Sequence, residues 1–318
     1  MAIIGTDLAQ AALQLNQGNL VSIPTETVYG LAGNSFDPSV VAKIFEVKNR
    51  PSFDPLIVHI SSIDYLEKVA CQVPELAVQL AEKFWPGPLT LVIPKTDMVP
   101  DLATSGLPTV AVRVPSHPMT LELLKKLEFP LVSPSANPFG YISPTTAAHV
   151  EAQLGALIPY ILDGGECTVG IESTIIGFEE ECPVLYRPGG LPLEEIEQVT
   201  GPMATRSGKH GTLAPGMLKS HYAPDKQLFV GNIPTLIAQH GSRDVGILSY
   251  QHKFPDIDQH LQFQLSAKGD MKEAAQNLFA MLRKLDAMDI KYIFAEQVPP
   301  YGLGIAINDR LKRAAYES

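Results

Sequence analysis

Three arginines and a lysine stand where fixed charge could hold an anion. Lys48 and Arg50 are two residues apart in Lys48-Asn49-Arg50-Pro51-Ser52-Phe53-Asp54-Pro55, a loop between a helical and an extended pattern. A lysine acts as a point charge and an arginine as a flat fork, so the pair can converge on one polyanion. Cations at a helix C-terminus also stabilise it by ~0.3–1 kcal/mol, which is the plainer role for both. Arg113 interrupts the apolar run Val110-Ala111-Val112-Arg113-Val114. Burying a guanidinium alone is very costly, so Arg113 must meet a carboxylate. That partner is either a protein side chain, in a salt bridge inside the fold, or a ligand such as an amino acid. Arg187 ends another strand in Leu185-Tyr186-Arg187-Pro188-Gly189.

Hydroxyls gather at similar places. Pro24-Thr25-Glu26-Thr27-Val28-Tyr29-Gly30-Leu31 follows a short apolar strand, and strand ends in α/β folds are where ligands commonly bind. A capped turn satisfied by Thr25 or Thr27 is the alternative. Ser133-Pro134-Ser135-Ala136-Asn137-Pro138 is a rigid polar loop that can offer N–H groups and hydroxyls to phosphate. Ser143-Pro144-Thr145 extends it and also reads as a helix N-cap. Glu172-Ser173-Thr174 is a further polar strand start, and His59 sits on an apolar strand where a satisfied core histidine is the ordinary outcome. Loops after at least three strands thus carry hydroxyls and cations, which fits a pocket for an anionic ligand such as a nucleoside triphosphate. The common phosphate signatures are missing: there is no G-x-x-x-x-G-K-[ST] and no G-x-G-x-x-G after a strand. Ser207-Gly208-Lys209-His210 is only a partial match, and Gly302-Leu303-Gly304 is too short.

The elements that must position these groups alternate. Helices are expected over Leu8–Leu15, from Asp37-Pro38 onward, over Pro74–Phe84 and over Met119–Leu127. Strands are expected at Leu20–Ile23, Leu56–Ile60, Leu89–Ile93, Val110–Val114, Tyr160–Leu162, Ser173–Phe178 and Val184–Tyr186. Such alternation predicts a layered α/β domain. Residues 201–227 break the rhythm with glycine, proline and polar residues, as a linker does. The pattern then restarts as a strand at Leu228–Val230, a helix at Pro234–His240 and a strand at Val245–Leu248. A long helix over Met271–Met288 and a strand at Tyr292–Ala295 follow.

Composition narrows the classes. With 318 residues, 45% of them apolar, the chain has material for two domains with sizeable cores. A net charge of −10 argues against a surface that grips nucleic acid as a whole, though not against a local basic cleft. The three cysteines, Cys71, Cys167 and Cys182, are an odd and scattered set that offers no zinc site and suits a reducing compartment. No signal sequence or membrane-length apolar stretch stands out, so a soluble cytoplasmic protein is expected.

The ordered strings P-T-E-T-V-Y-G-L (24–31), K-N-R-P (48–51), P-L-I-V-H (55–59), W-P-G-P-L-T (85–90), V-A-V-R-V-P (110–115), S-P-S-A-N (133–137), E-S-T-I-I (172–176) and R-P-G (187–189) resemble the YrdC family. A-P-G-M-L-K-S-H-Y-A-P (214–224) with an α/β region behind it looks like the longer, two-domain form within that family. Leu218-Lys219-Ser220 depart from the further lysine and aromatic often found there. The resemblance implies a YrdC-like catalytic domain over 1–205, a linker covering the active site over 206–227, and a small Rossmann-like α/β domain over 228–318. The first would be a twisted mixed sheet with a large concave cleft.

It also implies an activity: a nucleotidyltransferase that makes threonylcarbamoyl-AMP and diphosphate from L-threonine, bicarbonate and ATP, for tRNA threonylcarbamoyladenosine modification. By resemblance, Thr27, His59, Arg113, Ser133 and Ser173 fall where the family holds threonine. Arg50, Asp54, Thr109, Ser135, Ser143, Arg187 and Tyr222 fall where it holds ATP, with Lys48 in the same basic motif. Lys48, Arg50 and Arg187 are expected to neutralise the phosphates, with Mg2+ arriving on ATP and no dedicated metal cage. The expected partners are these small molecules and the downstream tRNA-modifying machinery, with no membrane. Two rivals remain: a module that binds RNA weakly through its basic cleft, and a carbamoyl-transfer protein of the same family. The latter class carries zinc-finger segments, for which this chain lacks clustered cysteines.

Overall fold

The computed structural model describes residues 1–206, 214–216, 221–255 and 257–316. Ser207-Gly208-Lys209-His210 and Leu218-Lys219-Ser220 lie outside the described residues.

The first sheet holds β1 (Ile3–Gly5), β2 (Val21–Ile23), β3 (Gly30–Asn34), β4 (Ile57–His59), β5 (Leu89–Pro94), β6 (Thr109–Arg113), β7 (Leu131–Val132), β8 (Tyr160–Leu162), β9 (Thr174–Glu179), β10 (Cys182–Arg187) and β11 (Ala204–Thr205). Their spatial order is β1-β8-β2-β3-β7-β4-β6-β5-β9-β10-β11. The sheet is mixed: β4 and β6 run parallel, as do β5 and β9, while β5/β6, β4/β7 and β9/β10 are antiparallel. Its helices are α1 (Leu8–Asn16), α2 (Pro38–Lys48), α3 (Leu66–Val69), α4 (Glu75–Phe84), α5 (Asp101–Thr104), α6 (Pro118–Lys126), α7 (Ala147–Leu154) and α8 (Leu193–Thr200). The second sheet is all parallel, with β12 (Gln227–Val230), β13 (Val245–Ser249), β14 (Gln262–Gln264) and β15 (Tyr292–Ala295) in the order β12-β15-β13-β14. Around it lie α9 (Ile233–His240), α10 (Met271–Asp286) and α11 (Leu303–Ala314). The fold is thus a mixed-sheet α/β domain followed by a smaller parallel α/β domain.

Local chemistry explains most of the elements. Asp37 caps α2 by accepting from the Ser39 N–H, and Pro38 opens the helix where no N–H is needed. Val40, Val41, Ile44 and Phe45 bury one helical stripe against the sheet. Each fully buried aliphatic side chain of this kind contributes ~1.5–3 kcal/mol. Asn49 then stops α2 in the left-handed conformation, which turns the chain so that Arg50 can point inward. Ser143 does not cap a helix. Thr146 caps α7, accepting from the His149 N–H.

The two domains meet along α10. Ala274, Ala275, Leu278, Phe279 and Leu282 form its buried stripe, within a core that also takes in Val28, Ile142 and Ile171 of the first domain. Gly170 lies so close to the Ala275 and Gln276 backbone that a Cβ there would overlap it. Arg283 donates to the carbonyl oxygens of Ile142 and Ser143, and Tyr141 donates to Asp286. The second domain therefore braces the loop ahead of α7.

Candidate active site

Sheet register brings the first group of polar side chains together. β4 and β6 pair in parallel with His59 opposite Arg113, so two residues far apart in sequence become neighbours at the same sheet end. The Arg113 guanidinium donates to the Thr27 hydroxyl at 2.9 Å and to the Gly87 carbonyl at 3.1 Å. Its Nη2 stands 2.6 Å from Glu26 Oε1 without the alignment of a hydrogen bond. The internal salt bridge is therefore present, and it borders the cavity. His59 is buried, and its Nδ1 has no protein partner. Burial, helped by the Arg113 charge, pushes its pKa down to about 3, so the ring is neutral at pH 7. A Cβ on Gly30 would overlap the Ser133 hydroxyl, so glycine there lets Ser133 keep its place on the cavity wall.

The second group centres on Arg50 and Arg187. Arg50 donates to the carbonyls of Asp54 and Pro55 and pairs with the Asp54 carboxylate at 2.9 Å. Burial pushes the Asp54 carboxyl up, against the pull of Arg50, Arg187 and Lys48. A bulge between Leu185 and Arg187 marks the end of β10. Arg187 donates to the Ser173 carbonyl at 2.9 Å and to the Pro215 carbonyl at 2.9 Å. Ser173 shares a 2.7 Å hydrogen bond with Thr90, which fixes its hydroxyl between the two groups.

Thr27, His59, Arg113, Ser133 and Ser173 all line one cavity, together with Arg50, Ser135, Arg187 and Tyr222. Asp54, Ser143 and Thr109 stand off its wall: Asp54 is fully buried against Arg50, and Ser143 is fully buried with its hydroxyl on Glu172 at 2.5 Å. Thr109 is half-buried at the start of β6. Lys48 is placed differently from the sequence expectation. The residue is 1% exposed, and its ammonium donates at 2.5 Å to each of the Ser135 and Asn137 carbonyls, off the cavity wall. Burial, reinforced by nearby Arg50, drives its pKa well below the ordinary lysine range. It acts as a tie for the Ser133–Asn137 loop.

Glu26, Glu172 and His221 also line the site or border it, and residue-type reasoning did not assign them. Tyr222 fits a special role. It is 1% exposed, adopts a left-handed backbone at φ 67°, and lies against His221, Phe279 and the Arg310 guanidinium. A non-glycine residue held there costs on the order of 1–2 kcal/mol, which the surrounding contacts must offset. Gly216 lies beside it, and a Cβ on Gly216 would come within 2.7 Å of Arg187 Nη1 and 2.8 Å of the Tyr222 hydroxyl. The free space between these walls is about 50 Å³, room for a few waters and far below the ~300–1,000 Å³ of ordinary small-molecule sites.

Residues 13–189 match the family model Sua5_yciO_yrdC, described as "Telomere recombination", and residues 191–316 match Sua5_C, described as "Threonylcarbamoyl-AMP synthase, C-terminal domain". The chain belongs to the Sua5/YrdC family. It is 45% identical over 325 residues to the threonylcarbamoyl-AMP synthase of Pyrococcus abyssi, an alignment covering 96% of this chain and 93% of the relative. Against the threonylcarbamoyl-AMP synthase of Bacillus subtilis it is 40% identical over 320 residues, covering 97% and 92%. The crystal structure of P. abyssi Sua5 complexed with L-threonine superposes with a TM-score of 0.92 at 41% identity, covering 99% of this chain and 97% of that one. Such a Sua5/YrdC chain therefore carries both the mixed-sheet domain and the Sua5_C domain. Among the described residues no helix is long and apolar enough to cross a membrane.

Proposed function

We propose that this chain forms threonylcarbamoyl-AMP and diphosphate from L-threonine, bicarbonate and ATP. One observation carries the reading: a single buried cavity presents Arg113, held beside Thr27 and His59, and also Arg187, held by backbone carbonyls. Relatives aligned over nearly the whole chain bear the corresponding activity in their names, and one relative's structure holds L-threonine.

The threonine carboxylate would take the Arg113 fork, displacing or sharing it with Glu26. Neutral His59 would orient the substrate through its unpartnered ring nitrogen. The threonine amine adds to carbon dioxide from bicarbonate and loses a proton, giving a carbamate. A carbamate oxygen then attacks the α-phosphorus of ATP, the bond to the β-phosphate oxygen breaks, and diphosphate leaves. Negative charge grows on phosphate oxygens in this step, so fixed cations stabilise it without a covalent nucleophile. Arg50 and Arg187, which line the cavity, would do so, with Ser135 offering a hydroxyl. Magnesium bound to the phosphates would share that work. Among the described residues no group of three or more His, Cys, Asp or Glu forms a metal cluster, so phosphate and water oxygens would supply its ligands.

The nucleotide cannot enter the present free space, so the segment bearing His221 and Tyr222 would move aside and close again. The product is a reactive mixed anhydride, and closure would keep water from it. Its onward use would be transfer to tRNA by a separate machinery, in the cytoplasm.

The test is incorporation of labelled bicarbonate with ATP and each amino acid in turn, without tRNA, with diphosphate measured in parallel. Threonine-dependent label and stoichiometric diphosphate are expected. Purified chain that releases no diphosphate under these conditions overturns the proposal. Salt-sensitive tRNA binding with no use of ATP would favour the RNA-binding reading instead.

A further inference from the structure

Three arginines line the cavity, and their partners differ. Arg50 is paired with Asp54 and Arg113 with Glu26. Arg187 makes no ion pair within 4 Å among the described residues; its N–H groups go to the Ser173 and Pro215 carbonyls and, at 3.3 Å, to the Ser173 hydroxyl. Yet a carboxylate, Glu172, lines the same cavity.

Glu172 is claimed from the other domain. Arg310 of α11, 0% exposed, donates from Nε to Glu172 Oε2 at 2.8 Å. Glu172 Oε1 accepts from the Ser143 hydroxyl at 2.5 Å, so the carboxylate is turned by both partners. Arg310 is itself set by Asp309, which accepts from its Nη1 at 2.7 Å and also takes Arg313 Nε. Its guanidinium lies 5.2 Å from the centre of the Tyr222 ring, which ties the same arginine to a residue that lines the cavity. The backbone N–H of His221 donates to the Arg313 carbonyl on the same helix. Burial alone would push the Glu172 carboxyl up, and Arg310, followed by Arg187, pulls it below the usual carboxylate range.

A buried carboxylate left without Arg310 would turn to Arg187, which lines the same cavity, or repel phosphates that enter there. We propose that Arg310 is a positioning residue contributed by the second domain: it neutralises and holds Glu172, and so keeps Arg187 available for the nucleotide. The inference rests on the ATP-site reading above. It gives the second domain a direct part in nucleotide binding, while the Arg113 group, which Arg310 does not touch, keeps its own partners.

The experiment is ATP affinity by equilibrium titration of the full chain with magnesium, for wild type, R310M, E172Q and R310M/E172Q, with threonine affinity measured on each. R310M is expected to bind ATP at least 10-fold more weakly with threonine affinity within 2-fold of wild type. In the double variant the carboxylate that Arg310 restrains is gone, so its ATP affinity is expected within 3-fold of E172Q. A merely structural role for Arg310 would leave the double variant as weak as R310M or weaker, and that result overturns the inference. So does an R310M chain with wild-type ATP affinity. Should R310M not fold, the double variant alone decides, and ATP affinity 10-fold or more below E172Q counts against the inference. Wild type measured in parallel separates the two claims: if it does not bind ATP, the site reading falls and the inference with it, whereas normal wild-type binding beside an unchanged R310M overturns the inference alone.

Discussion

The Arg113 guanidinium faces the Glu26 carboxylate at 2.6 Å, both side chains nearly buried and the two groups out of hydrogen-bond alignment. Glu26 also accepts from the Ser116 backbone N–H at 3.1 Å. The pair balances charge at the edge of the cavity, and a substrate carboxylate would share or displace Glu26 on Arg113. Arg113→Ala is therefore expected to raise the threonine KM by about 10²-fold, with the ATP KM little changed. It also leaves Glu26 buried without its cation, at a cost of ~3–5 kcal/mol in unfolding free energy. Denaturant titration should show Glu26→Gln recovering part of that loss in the double variant. An unchanged threonine KM in a folded Arg113→Ala chain removes Arg113 from substrate binding.

Lys48 separates the role expected from sequence and the contacts found in the structure. A phosphate ligand, once removed, weakens ATP use and leaves stability nearly intact. A tie between two loop carbonyls does the reverse. Lys48→Met is expected to lower stability by ~1–3 kcal/mol, since the Ser135 and Asn137 carbonyls lose their shared donor. Any rise in the ATP KM should follow displacement of Ser135 and be smaller than that of Arg50→Ala. A variant of wild-type stability with ATP use lost would return Lys48 to the phosphates.

Much of this was legible in the sequence, and the gaps have physical causes. α2, with Asp37 and Pro38 at its start and an apolar stripe behind them, announces itself through capping and period. The strands bearing His59 and Arg113 are short apolar runs, readable as strands, but only register shows the two residues side by side. β3 escaped because Gly30-Leu31-Ala32-Gly33-Asn34 lacks β-branched residues; its glycines serve close approach, at Gly30 to Ser133 and at Gly33 to Val40. α11 escaped because it opens at Gly302 with no side-chain cap, in a glycine-rich stretch that reads as a loop. With it went Arg310, whose link to Glu172 spans 138 positions and leaves no local signal.

Acid should destabilise the fold through histidines whose pKa the fold holds down. His59, pushed down to about 3, and His149, pushed down to about 4, are neutral in the folded chain over most of the acid range. The unfolded chain takes up a proton at each near pH 6.5, so it binds more protons than the folded chain between those limits. Their contribution to stability is complete above about pH 6.5 and is lost as pH drops toward 3–4. The slope is at most ~1.4 kcal/mol per pH unit for each such histidine. His59→Asn should flatten the fall between pH 6 and 4 in a pH series of denaturation midpoints. Curves for variant and wild type that run parallel would show that His59 does not titrate this way.

The last prediction concerns the fit between Gly216 and Tyr222. Gly216 sits at φ 76°, where an added methyl costs ~1–2 kcal/mol in backbone strain. That methyl would also come 2.7 Å from Arg187 Nη1 and 2.8 Å from the Tyr222 hydroxyl. Both neighbours lie on the nucleotide side of the proposed mechanism. Gly216→Ala is thus expected to raise the ATP KM by about 10-fold or more, because a displacement of this size misplaces the charge that meets the phosphates. The threonine KM should hold, since the Arg113 group is separate. Removing the crowded hydroxyl should help: Gly216→Ala with Tyr222→Phe is expected to regain part of the lost ATP affinity. Tyr222→Ala, by contrast, removes a ring that lines the cavity and should speed nucleotide release in stopped-flow displacement. Equal release rates in that variant and wild type would mean that Tyr222 does not close the site.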